Sequence, residues 1–185
     1  MDYKNYLNLD KILNAQTPVS EEPLEIMFII AHQSSELWFK VLIQELNCLI
    51  DTPDQPTYNP TTQLQRIVKI FEHLNTLWDV IATMSTEEYE RFRSKLGTAS
   101  GKQSEQYIEV EILLKKLPLK WYHQHKHFLS NIENAFKKWQ FSHMKAVERI
   151  IGDKTGTGGT SGVSYLKRAV DKPLYANIKY EWKGW

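Results

Sequence analysis

No glycine occurs before Gly97 in this chain of 185 residues, and all eight glycines fall at Gly97, Gly101, Gly152, Gly156, Gly158, Gly159, Gly162 and Gly184. Glycine is the residue that most readily ends a helix or turns a chain at positive φ, so a long stretch without it favours long helices joined by few tight turns. Proline agrees: after Pro60 none occurs until Pro118, which leaves room for uninterrupted helix. Capping chemistry marks the starts at Ser20 ahead of Pro23, Asn59 ahead of Pro60, Ser85 with Glu88, and Ser100 with Gln103. These signals predict five main helices over 21–51, 60–83, 86–96, 101–117 and 119–151, with a short helical segment over 3–15 and no strand. The expected fold class is all-α, a helical bundle forming one domain over 1–185.

Periodicity assigns faces. In 60–83, Leu64, Ile67, Val68, Phe71, Leu74, Leu77, Trp78 and Ile81 form one apolar stripe, with Arg66, Lys69, Glu72 and Asp79 off it. In 21–51, Ile26, Ile30, Leu37, Val41 and Leu42 recur at helical spacing while Phe28, Ile29, Trp38 and Phe39 fill other faces, which predicts a helix enclosed in the bundle. The stretch after Lys154 reads as irregular.

Lys and Arg number 23 and Asp and Glu 22, so the net charge of +1 gives no field that would collect nucleic acid or an anionic membrane. Hydrophobic residues make up 42% of the chain, enough for a core and too much for disorder. The longest unbroken apolar run, Ile26 to Ala31, is far short of the roughly 20 residues of a membrane span. Cys48 is the only cysteine and the N-terminus has no signal-peptide pattern, so the expected address is the cytoplasm.

Few residues carry chemistry. His32 lies in the most apolar helix, where its ring either bonds a neighbour or meets a ligand. His143 stands about two turns before a loop rich in Gly, Thr and Ser, a setting that suits an axial metal ligand or a plain helix-end histidine. That loop, 152–162, can wrap an anion with its backbone N–H groups, but it lacks the Gly-Lys-Ser/Thr closure of a nucleotide-binding P-loop. Tyr89 and Arg93, four apart, can clamp a carboxylate. His123, His125 and His127 lack the spacing of a zinc site and read as a solvated face.

Four segments in order, FIIAHQSSELWFK over 28–40, YERFRSKLGTASGKQSEQY over 89–107, WQFSHMKAVERIIG over 139–152 and GTGGTSG over 156–162, closely resemble the tryptophan 2,3-dioxygenase family. The start, YKNYLNLDKILNAQ over 3–16, resembles that family's N-terminal segment. The resemblance implies an all-helical pocket for a noncovalent b-type haem (heme b, iron), with His143 as proximal ligand and Phe28 and Gly158 beside the group. It implies His32 as the distal histidine on the indole N–H, Tyr89 with Arg93 on the substrate carboxylate, Thr157 at its amino-acid end, and Ser100 and Gly101 in a distal turn. Tyr3, Tyr6 and Leu7 would complete a neighbour's pocket, implying a homo-oligomer, a dimer or tetramer. The activity implied is insertion of both atoms of dioxygen into L-tryptophan to give N-formylkynurenine. Alternatives are a haem monooxygenase of tryptophan, a methylated tryptophan or another aromatic amino acid in natural-product biosynthesis, and a non-catalytic haem-binding protein. The chain departs from the family in a much shorter stretch between Tyr107 and Trp139, in Lys102 where an aromatic is usual, in Ile108 where an arginine is usual, and in its C-terminal ending.

Overall fold

The computed structural model describes residues 1–51, 59–117, 119–152, 154 and 162–175, with backbone only over 119–125 and at Gly162. Among these residues every regular element is helical: α1 (Tyr3–Tyr6), α2 (Leu9–Leu13), α3 (Pro23–Asp51), α4 (Pro60–Ile81), α5 (Thr86–Arg93), α6 (Glu105–Lys116), α7 (Leu119–Ile151) and α8 (Gly162–Asp171). Single 3-10 turns follow α5 at Ser94–Leu96 and precede α6 at Gly101–Gln103. The Pro-rich 52–58 connection, most of the glycine-rich loop and the C-terminal 176–185 lie outside the described residues.

The expected all-α fold stands, and local chemistry explains where its boundaries differ. The N-terminal segment is two short helices, because Asn8 turns left-handed at φ 51° between them. α5 stops at Arg93 and not at 96, with Gly97 at φ +58° ending the turn that follows. The Ser100–Gln103 capping box closes only a 3-10 turn, and a second cap, Ser104 accepting from the Tyr107 N–H at 3.0 Å, starts α6. Ser20 does not cap α3 in the usual way. The buried Glu25 carboxylate instead reaches back to accept from the backbone N–H groups of Val19 and Ser20, each at 2.8 Å. α8 falls in the region read as irregular, although Val163, Leu166 and Val170 carry a helical spacing there.

The core lies between α4 and α7, with α3 and α6 packed beside them. α4 buries Leu64, Ile67, Phe71, Leu74, Trp78 and Ile81, the stripe expected of it. α3 departs from expectation. Its buried stripe runs through Ala31, Ser35, Phe39, Leu42, Leu46 and Leu49, while Ile26, Ile30, Leu37 and Trp38 face solvent. The helix is apolar on several faces, and among the described residues the Ala31–Leu49 stripe is the one most deeply buried. By length and apolar composition alone α3 would pass for a membrane span, yet it packs against α4, α5 and α6.

Candidate functional site

Five helices and one turn converge on a cavity of about 140 Å³. α3 supplies Phe28 and His32, one turn apart and therefore on one face; α4 supplies Trp78 and Ile81; α5 supplies Tyr89; α7 supplies His143, Ala146 and Ile150. Ser100, Gly101 and Lys102 close one side through the capped turn, and Leu166 of α8 closes another. The two cavity histidines, 111 positions apart in sequence, come from α3 and α7, whose backbones make no close contact among the described residues. Trp78 bridges that gap: its ring stacks on His143 at 4.3 Å and 17°, and meets His32 edge-on at 6.1 Å.

The protonation state of each histidine follows from its surroundings. The His32 Nδ1 lies 2.7 Å from the Phe28 carbonyl oxygen. A carbonyl only accepts, so Nδ1 carries the proton and Nε2 of the neutral ring is left as an acceptor. Burial holds the His32 pKa below its usual value, against the opposing pull of that carbonyl and of Glu36. Burial also pushes His143 down to about 3, helped by the nearness of His32. Both rings are therefore neutral at pH 7, and neither nitrogen of His143 has a hydrogen-bond partner among the described residues.

Beside the cavity Tyr89 is buried at 4% exposure, and burial raises its pKa while the neighbouring Arg93 cation opposes the rise. Arg93 Nη1 donates to Glu90 Oε1 at 3.1 Å, and the same oxygen takes Lys154 Nζ at 2.9 Å. Arg93 thus stands next to the cavity wall with its charge already shared, and it does not itself line the cavity. Lys102 reaches over the ring of Tyr165 on α8, 3.7 Å from its centroid, which links the capped turn to the last described helix.

Of the residues expected from sequence, the fold brings Phe28, His32, Tyr89, Ser100, Gly101 and His143 to one cavity and sets Arg93 behind Tyr89. Tyr3 and Tyr6 are 74% and 70% exposed, and neither they nor Leu7 reach the cavity of their own chain. Thr157 and Gly158 lie outside the described residues, as do the side chains of His123 and His125, while His127 is exposed and packs on Phe128. Sequence reading missed Trp78 as a site residue by assigning it to the core stripe. Its signal was chemical: an indole N–H in a dry stripe has nothing to bond, and Nε1 of Trp78 is indeed buried without a partner.

The family model for tryptophan 2,3-dioxygenase matches residues 1–125 and 118–178. A tryptophan 2,3-dioxygenase of Bradyrhizobium sp. strain BTAi1 is 32% identical over 257 aligned positions, covering 99% of this chain and 91% of the relative. Those of Bordetella parapertussis strain 12822 and Bacillus cereus strain ZK are each 33% identical, covering 99% and 96% of this chain and 89% and 90% of the relatives. An aligned span of 257 positions exceeds the 185 residues of this chain, and the two parts of the family match overlap at 118–125, so the relatives carry a stretch near the start of α7 that this chain lacks.

Proposed function

The chain belongs to the tryptophan 2,3-dioxygenase family, an enzyme family, and from that premise we propose that it is a haem-dependent dioxygenase that opens the pyrrole ring of L-tryptophan to N-formylkynurenine. The observation that carries this reading is the pair of neutral histidines, His32 and His143, facing one cavity from separate helices with the Tyr89–Arg93 pair at its edge. The donor set fits a b-type haem. His143 offers a neutral imidazole with no competing hydrogen bond, and Ile81, Ala146, Ile150 and Leu166 give the apolar wall a porphyrin face requires. At about 140 Å³ the cavity holds a single aromatic ring, and a porphyrin held by His143 would need further room between α3 and α7.

When bound, haem supplies the electronic path by which triplet dioxygen reacts with a closed-shell indole. The remaining work belongs to the protein. His32 Nε2 accepts the indole N–H, since Nδ1 is committed to the Phe28 carbonyl. Arg93 exchanges the Glu90 carboxylate for that of the substrate, with the Tyr89 hydroxyl as a second donor. Phe28 closes the pocket against water. Thr157 is proposed at the ammonium end of the substrate and Gly158 beside the haem.

The exposed apolar residues of α1 to α3, among them Tyr3, Tyr6, Leu13, Ile30 and Leu37, support a homo-oligomer in which this face is covered and the N-terminal segment reaches a neighbour's pocket. The test of the reaction is product mass after haem-loaded, ferrous protein meets L-tryptophan and labelled dioxygen. Two labelled oxygens in the product support the proposal. One labelled oxygen moves the activity to a hydroxylase, and intact substrate moves it to haem binding without turnover.

A further inference from the structure

A second cavity, of about 260 Å³, lies away from the histidines between α6, α7 and α8. Its walls carry three aromatic rings, one from each helix: Tyr107, Phe136 and Tyr165. Four cations line it, Lys115, Lys137, Arg168 and Lys172, against a single carboxylate, Glu111, which is itself paired with Lys115. Arg168 and Lys172 are exposed at the rim and form no ion pair among the described residues. Lys137 is half-buried deeper in the cavity, where its ammonium donates to Gln140 Oε1 at 3.0 Å and to the Ala169 carbonyl at 2.7 Å. An ammonium has three N–H groups, so one donor is left over. Burial lowers the Lys137 pKa against the pull of the Glu133, Glu111 and Asp171 carboxylates nearby.

An aromatic lining calls for a flat apolar body, and lining cations that outnumber the one lining carboxylate call for an anionic end. An empty cavity of about 150 Å³ already accepts benzene, so the room here suffices for a substituted ring. We propose that the cavity between α6, α7 and α8 is a second binding site, separate from the histidine cavity, that takes a compact aromatic carboxylate with its ring among Tyr107, Phe136 and Tyr165 and its carboxylate between Lys137 and Arg168. A free phosphate would satisfy the cations and make no use of the aromatic lining.

The test titrates benzoate into the full-length chain by calorimetry, beside Arg168→Glu, Lys137→Met and Arg93→Ala. Loss of a charge-assisted contact weakens binding by about tenfold or more in the first two variants. Affinity in Arg93→Ala stays at the wild-type value, because that arginine borders the other cavity. Lys137 also ties α7 to α8 through Ala169, so a misfolded Lys137→Met would lose binding for another reason; the exposed Arg168 is free of that ambiguity and decides the matter. The proposal is overturned by absence of saturable binding in the wild type, by equal affinity in Arg168→Glu, by loss of binding in Arg93→Ala, or by inorganic phosphate displacing benzoate at equal concentration.

Discussion

The two cavities are built on opposite principles. In the histidine cavity the two imidazoles are neutral rings held by other rings, the one lining cation, Lys102, turns its ammonium onto the Tyr165 ring, and Arg93 and Glu90 are engaged with each other behind the wall. In the cavity of α6, α7 and α8 the rings form part of the walls and four lining cations face one lining carboxylate, Glu111. The first suits a ligand that must exclude water around a neutral reacting centre, while the second suits capture of a preformed anion. On this contrast, substitutions at the first cavity act on ligation and stability, and those at the second act on charge.

The largest effect is expected at His143. His143→Ala removes the one proposed iron donor, so haem titrated into the variant should give no Soret band of the wild-type position and intensity. An unchanged spectrum would take His143 out of the site and leave the contrast without its first half. Next comes Trp78, the buried ring that joins both histidines. Trp78→Ala should cost about 3–5 kcal/mol in urea unfolding, as large-to-small core changes do. Tyr165→Ala at the second cavity, where the ring is 42% exposed, should cost under about 1 kcal/mol. Equal losses would mean that both cavities are structural voids of one kind.

Much of the first cavity could be read from the sequence, and little of the second. α4 and α5 carry their own instructions, an apolar stripe and a Ser85–Glu88 capping box, so Trp78, Tyr89 and Arg93 fall where periodicity puts them. Asn8 at positive φ is a choice of backbone that its neighbours do not announce, and it splits the N-terminal helix in two. The face that α3 buries was not decided by its composition, since apolar residues occur all round it; contact with α4 and α6 chose Phe39, Leu42 and Leu46 over Ile30 and Leu37. The charged cavity joins Glu111, Lys137 and Arg168 from three helices, and no local pattern links positions so far apart.

A middle-sized effect is expected from Arg93→Ala. Loss of a charge-assisted hydrogen bond to the substrate carboxylate should lower kcat/KM for L-tryptophan by about 1.5–3 kcal/mol, roughly ten- to a hundredfold. Comparable in stability terms is Glu25. Burial raises its pKa, but the donors from Ser20 and Val19 outweigh that and leave it below the usual 4.5. A depressed carboxylate contributes stability that is fully present above pH 4.5 and lost as the pH falls through the lower folded value. Glu25→Gln should therefore cost about 1–3 kcal/mol at pH 7 and flatten the acid limb of the stability profile, measured by urea unfolding between pH 7 and pH 3.

The smallest effect, and the finest probe of the contrast, is expected at Glu90. Its carboxylate accepts from both Lys154 and Arg93, with Lys154 the larger cause of its lowered pKa, so in the absence of substrate Arg93 is held by an internal rival of the ligand it is proposed to bind. An amide in place of the carboxylate keeps the shape and one acceptor but removes the charge that competes. Glu90 is half-buried at the surface, where an ion pair contributes about 1 kcal/mol, so Glu90→Gln should lower KM for L-tryptophan by no more than about fivefold with kcat nearly unchanged. A raised KM would show instead that Glu90 orients Arg93 toward the cavity. The rival would then be a support, and the charge behind the first cavity would be part of its binding surface, as it is in the second.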